Sequence, residues 1–366
     1  MKPDTEDYFL NVMNGSRRGT AAVAVRLFLS TIEPFYAGAM RARNRFYDGG
    51  IFPAHDLHRP VISIGNLTAG GTGKTPMVLW LAGRLREGGK RAAILSRGYK
   101  SAAGELGDEQ IMLDRMLNGP GNEPIILRAN PNRVAAATGA LQADPAIDLF
   151  LLDDGFQHRR VSRAMDIVLL SATDPFGLGH VLPRGLLREP IDGLRRADAV
   201  VITHADRVDE AGLEKITERV RRIHPDVPIH RAVHQFAGFR TAACHSSAPP
   251  DRAMADLKHR KFFAFCGIGN PQAFDRQLQT FEGQYAGHRW FADHHGYSQA
   301  DLDSLCAEAA ARGADLLLTT EKDWVKVCSL VPAGSSFPEI WRMDVAIRFS
   351  DDGEAKLLEQ VKRKIG

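Results

Sequence analysis

The chain has 366 residues, 44% hydrophobic and 25% charged, with a formal net charge of +3. That is the make-up of an ordinary globular protein long enough for two domains, and the charge bias is too weak to argue for a nucleic-acid partner. Four cysteines with no Cys-x-x-Cys spacing argue against a zinc ribbon or disulfide framework, and no run approaches the ~20 apolar residues that span a bilayer.

Residues 1–60 show no strand pattern. Asp4, Glu6 and Asp7 argue against a secretory signal, and Thr5 is placed to cap a short helix through Met13. The apolar run Ala21 to Leu29, broken only by Arg26, is flanked by Arg17, Arg18, Arg41, Arg43 and Arg45. Such a segment suits a helix lying in a membrane interface, but composition alone favours a helix packed on the protein's own core with its arginines solvated.

The most informative stretch is Val61 to Pro76. Val61 to Ile64 reads as a buried strand; Gly70, Gly71 and Gly73 form a glycine-rich turn; Lys74 and Thr75 follow, then a helical pattern from Met77 to Leu85. Strand, glycine-rich loop ending in Gly-Lys-Thr, and helix is the phosphate-binding loop, here spanning Thr68, Ala69, Gly70, Gly71, Thr72, Gly73, Lys74 and Thr75. Glycines let successive N–H groups point inward at a polyphosphate, and the helix start adds unpaired donors. Lys74 is placed for the β- and γ-phosphates and the Thr75 hydroxyl for Mg²⁺. The first glycine of the generic motif is replaced by Thr68.

From Val61 onward, strands alternate with helices, the signature of a parallel sheet. Strands are expected at 91–96, 124–127, 149–152, 166–171, 199–203 and 228–233, with helices at 132–143 and 209–223. Small and polar residues around Pro249-Pro250 mark a linker. A second α/β block follows, with strands at 262–266, 316–319 and 339–349 and helices after Pro271, at 298–311 and at 353–364. The expected division is an N-terminal helical segment (1–60), a P-loop core (61–240), a linker (241–257) and a smaller C-terminal α/β domain (258–366). The fold class is therefore α/β, a P-loop NTPase-like, mostly parallel sheet flanked by helices.

Leu149 to Asp153 matches the Walker B pattern, which places a carboxylate beside the phosphate loop to hold Mg²⁺. Asp154 and a polar run through Arg160 come next. Gly107-Asp108-Glu109 opens a helix, so Asp108 fits both a helix cap and a catalytic carboxylate at the ligand edge of the sheet. In Asp293-His294-His295 the adjacent histidines point in different directions and lack the spacing of a two-ligand zinc helix. A single histidine paired with a carboxylate, or an exposed loop histidine, both remain open.

Taken together these segments resemble one family, tetraacyldisaccharide 4′-kinase, the lipid A 4′-kinase of Gram-negative bacteria. The likeness is carried by Gly65 to Pro76, Leu95 to Lys100, Gly107 to Glu109, Leu151 to Arg159, Pro183 to Pro190, Ala264 to Pro271, Phe291 to His294 and Thr319 to Asp323. It runs from about residue 10 to the C-terminus, and Thr68 belongs to the family's own pattern. The resemblance implies ATP and Mg²⁺, with the γ-phosphate passed to the 4′-hydroxyl of a tetraacyldisaccharide 1-phosphate. It implies peripheral contact with the cytoplasmic face of the inner membrane and favours the interfacial reading of the N-terminal helices. It also implies a catalytic pair, Asp108 and His294, together with Lys74, metal positions at Thr75 and Asp153, and substrate contacts at Asp154, Arg184, Arg188 and Glu189. It implies as well a C-terminal domain that closes over the nucleotide.

The competing class is a P-loop switch or partitioning ATPase without a lipid acceptor. Such proteins carry a second signature lysine early in the loop, where this chain has Ala69. A GTPase is weaker still, because Thr203-His-Ala-Asp206 lacks the Asn-Lys of the base-reading motif.

Overall fold

The computed structural model describes residues 3–98, 108–118, 123–241, 249–269, 271–293, 295–331 and 339–366, without the side chains of 3–7, 108, 109 and 273. Helices α1 (Pro3–Met13) and α2 (Thr20–Asp48) come first. Then come β1 (Val61–Asn66), α3 (Lys74–Glu87), β2 (Ala92–Ser96), α4 (Asp108–Leu117), β3 (Ile126–Ala129), α5 (Arg133–Ala143), β4 (Leu149–Asp153) and β5 (Met165–Ser171). They are followed by β6 (Ala199–Thr203), α6 (Glu210–Ile223), β7 (Ile229–Thr241), β8 (Lys261–Cys266), α7 (Pro271–Leu278) and β9 (Gln284–Trp290). The chain closes with α8 (Gln299–Ala311), β10 (Leu316–Thr320), α9 (Glu321–Val327), β11 (Glu339–Phe349) and α10 (Gly353–Ile365).

These elements form two compact units. The first comprises Met1–Arg97, Ile126–His234 and Ile347–Gly366, the second Gly98–Ile125 and Gln235–Ala346. In the first unit the strand order is β3-β2-β4-β1-β5-β6-β7, parallel throughout. Every residue of β1, β2, β5 and β6 is buried, which is why these strands read as apolar runs and not as alternating patterns. With β1 between β4 and β5, the loop that follows it emerges at the middle of the sheet's carboxyl edge.

The second unit orders its strands β11-β10-β8-β9, again parallel. Successive residues of β8 serve opposite faces: Phe262, Ala264 and Cys266 join one apolar cluster, Phe263 and Phe265 another. Both faces are therefore covered, as a parallel sheet requires.

Helices expected to begin at Asn132, Asp209 and Ser298 begin one residue later, with each of those side chains accepting from the first-turn backbone. Two strands depart from expectation. β7 continues to Thr241, well past Val233, and β9 has no counterpart in the sequence reading. β9 has no fully buried residue, so it lacks the apolar run that betrayed the others.

Helix α2 runs through Pro34 without interruption. Its Ala37 packs in a cluster with Leu67, Phe156 and Leu187, while Leu27, Phe28 and Phe35 are 64%, 63% and 80% exposed. Among the described residues no helix is long and apolar enough to cross a membrane.

Candidate active site

The phosphate loop leaves β1 at Asn66 and enters α3 at Lys74. Gly73 caps that helix in the left-handed region, at φ 80°, where glycine escapes the strain a side chain would carry. A Cβ on Gly73 would also lie 2.6 Å from the His234 ring. Thr68 pairs with Leu187 in an antiparallel bridge, an extended conformation that does not call for glycine. This is the physical reason the loop tolerates threonine there.

The loop is braced from both sides. Ala69 N–H donates to Leu186 O at 2.7 Å, Arg188 N–H to Leu67 O at 2.7 Å, and Asn66 Nδ2 to Thr68 O at 2.8 Å. On the other flank Thr203 Oγ1 donates to Thr72 O at 2.9 Å. His234 and His204 meet edge to face with ring centres 4.3 Å apart. Burial holds the His234 imidazole down at about 4, with His204 and Arg207 adding to the effect, so it packs against the loop as a neutral ring.

Asp153 closes β4 in register with Ile64 of β1, which sets it beside the start of the loop. Asp154 follows in the left-handed region, at φ 52°. Its carboxylate takes both hydrogen bonds of Arg188 Nη1, at 3.0 and 2.8 Å, and stands 3.6 Å from Lys74 Nζ. Burial alone would raise the Asp154 carboxyl, but Lys74 and Arg188 outweigh it and hold the group below its ordinary value. Lys74 Nζ also reaches Asn66 Oδ1 at 3.3 Å.

Glu189 is 1% exposed and enclosed by donors. Arg196 Nη2 reaches both its oxygens at 3.0 and 2.9 Å, Gln157 Nε2 reaches Oε1 at 2.9 Å, and Asn44 Nδ2 reaches Oε2 at 2.8 Å. Arg184 donates to Met13 O at 3.1 Å, at the end of α1. Within this unit the structure therefore gathers the Thr68–Thr75 loop, Asp153, Asp154 and Arg188, while Glu189 lies behind them and Arg184 faces the N-terminal helices.

In the second unit, Asp108 is the first residue of α4, but its side chain and the whole of His294 lie outside the described residues. The residues flanking position 294 are tightly held. Lys322 Nζ donates to Asp293 at 3.1 Å and Lys326 Nζ to His295 O at 3.1 Å, while the His295 ring stacks on Phe291 with centres 4.5 Å apart. Asp323, fully buried, accepts from Gly267 N–H at 3.0 Å, Tyr297 OH at 3.0 Å and Thr320 Oγ1 at 2.6 Å. The Thr319 to Asp323 stretch thus starts α9 and ties it to the turn after β8.

Residues 25–365 match the family model described as tetraacyldisaccharide-1-P 4′-kinase. The chain belongs to the tetraacyldisaccharide 4′-kinase family. A tetraacyldisaccharide 4′-kinase of Anaeromyxobacter dehalogenans is 38% identical over 92% of this chain and 90% of its own length. One of Halothermothrix orenii is 33% identical over 89% of each. Among solved structures, LpxK from Aquifex aeolicus in complex with ATP superposes with a TM-score of 0.70 at 26% identity, covering 93% of this chain and 100% of that one.

Membership of the 4′-kinase family bears out the α/β, P-loop NTPase-like fold and disfavours a partitioning ATPase. The sequence reading missed Asn66 and His234, which stand at the loop, and Arg133, which reaches Asp153 O at 3.5 Å. Asn66 was the most legible of them, a polar residue ending a fully buried strand. Arg133, 2% exposed and lowered to about 10 by burial against the pull of Asp153 and Asp154, hid among the alanines of α5.

Proposed function

We propose that this chain transfers the γ-phosphate of ATP to the 4′-hydroxyl of a tetraacyldisaccharide 1-phosphate. The reading is carried by the family match across residues 25–365, joined to a phosphate loop whose lysine stands beside Asp154 and Arg188. Loop N–H groups and the start of α3 bind the triphosphate, and Lys74 stabilises charge on the γ-phosphoryl group. Thr75 and Asp153 offer one hydroxyl and one carboxylate oxygen beside the loop, a donor set that fits Mg²⁺, which takes one or two carboxylates and completes its shell with phosphate and water. Bound there, the ion would neutralise charge on the β- and γ-phosphates.

Asp108 accepts the proton of the acceptor hydroxyl and His294 orients or tunes it. Asp154, Arg188 and Arg184 serve the acceptor side, and Glu189 acts through the groups it holds. The acceptor is an amphiphile whose tails stay in lipid, so its kinase must work at an interface. The exposed Leu27, Phe28 and Phe35 of α2, bounded by arginines, support peripheral contact with the cytoplasmic face of the inner membrane.

The deciding experiment incubates purified protein with ATP, Mg²⁺ and the disaccharide 1-phosphate lipid in mixed micelles. A lipid product one phosphate heavier by mass spectrometry is the expected result. ATP hydrolysis with unchanged lipid would sink the assignment in favour of a switch-type ATPase.

A further inference from the structure

Helix α2 carries two kinds of residue on different faces. Leu27, Phe28 and Phe35 are exposed, while Tyr36 and Asn44 point at the phosphate loop's supports. Two routes lead from this helix to a single ammonium group, each made of hydrogen bonds or ion pairs joined through the body of the residues they share. Along the first, Asn44 Nδ2 donates to Glu189 at 2.8 Å, Gln157 Nε2 bridges Glu189 and Asn66 O at 2.9 Å each, and Asn66 Oδ1 accepts from Lys74 Nζ at 3.3 Å. Along the second, Tyr36 OH donates to Arg188 O at 2.8 Å, Arg188 holds Asp154, and Asp154 faces Lys74 at 3.6 Å.

Further ties fix the same helix to the segment after β4. Arg159 Nη1 donates to Asn44 O at 2.9 Å, and Arg43 donates to Gln157 O. Glu189 is the hub: a buried polar group left short of a hydrogen-bond partner bears the cost of its desolvation, and Asn44 is one of the donors that satisfy it.

We propose that Tyr36 and Asn44 are positioning residues for Lys74, so that α2 is a structural part of the nucleotide site and not only a membrane anchor. The proposal rests on the nucleotide role assigned above to the loop through Lys74. It has a consequence that anchoring alone does not: damage to this face of α2 weakens nucleotide binding with no lipid present.

The test measures binding of Mg²⁺ with a non-hydrolysable ATP analogue by calorimetry, in lipid-free buffer, on the full chain. Tyr36→Phe and Asn44→Ala should each weaken affinity roughly 3- to 10-fold, the loss expected for one hydrogen bond in a polar network. Asn44→Gln, which keeps the amide donor, should recover part of the loss, and flotation on anionic phospholipid vesicles should stay at the wild-type level. Leu27→Ala combined with Phe35→Ala should do the reverse, losing vesicles and keeping nucleotide. Wild-type affinity in both Tyr36→Phe and Asn44→Ala overturns the proposal. So does a weakening that follows the loss of folded protein in thermal melts, with no recovery in Asn44→Gln. Failure of the wild-type chain to bind the analogue would instead remove the function proposed above.

Discussion

Arg188 holds Asp154 through both carboxylate oxygens, and the same carboxylate stands 3.6 Å from Lys74. Two cations therefore share one anion beside the phosphate loop. Because Asp154 is held below its ordinary value, its contribution to stability is complete above the unfolded carboxyl value of about 3.9 and is lost as pH falls through the lower folded value. His158 and His234, both lowered to about 4 chiefly by burial, lose their contributions at higher pH, between about 6.5 and 4. Melting temperature followed against pH should therefore show wild type and Asp154→Asn converging below pH about 4. Curves that stay parallel through that range would remove the ion-pair account of Asp154.

Gly73 offers a second test. Its φ of 80° and the His234 ring 2.6 Å from a notional Cβ both oppose any side chain. Gly73→Ala should cost roughly 1–3 kcal/mol of stability through backbone strain and crowding, and nucleotide affinity should fall at least about tenfold. Adding His234→Ala relieves the crowding but leaves the strained φ. Calorimetric titration of the double variant should recover part of the affinity, and full recovery would show that crowding alone excluded the side chain.

The sequence made the first unit far more legible than its supports. Buried parallel strands announce themselves as apolar runs, so β1, β4, β5 and β6 were found within a residue or two, and the loop between β1 and α3 has a motif of its own. β9 went unseen because its partly exposed residues lack an apolar run. At the site, Lys74, Thr75 and Asp153 were readable because they fall in sequence motifs of fixed residue type and spacing. The supports were not. Asn44 meets Glu189 across 145 residues and Tyr36 meets Arg188 across 152, and no local pattern encodes such pairings. Glu189 matched a family motif, but its enclosure by Asn44, Gln157 and Arg196 is an arrangement only the folded chain reveals.

Asp108 heads α4, where a carboxylate also suits a helix start. The capping and catalytic roles separate in kinetics. Asp108→Ala should lower kcat by roughly 10²–10⁴ with nucleotide affinity largely kept, the loss expected of a missing general base. Asp108→Asn retains a capping side chain and should be equally slow. Near-normal turnover in Asp108→Asn would reduce Asp108 to a cap.

Arg342 of β11 and Glu321 at the start of α9 form a 2.7 Å ion pair whose side chains are 1% and 9% exposed. Arg342 Nη1 also donates to Thr241 O at 2.7 Å, and its guanidinium lies 4.9 Å from the Trp324 ring centre. One residue thus joins β11, the end of β7 and α9 in the unit that carries Lys322 and Lys326. Removing Glu321 takes the paired carboxylate away from a buried cation, whereas removing both charges leaves no cation to compensate. Glu321→Ala should therefore cost about 3–5 kcal/mol in urea unfolding, while Glu321→Gln with Arg342→Met should recover most of that loss. A single variant within about 1 kcal/mol of wild type would mean that water or a neighbouring group takes over the guanidinium, and the pair would then not hold α9 to the sheet.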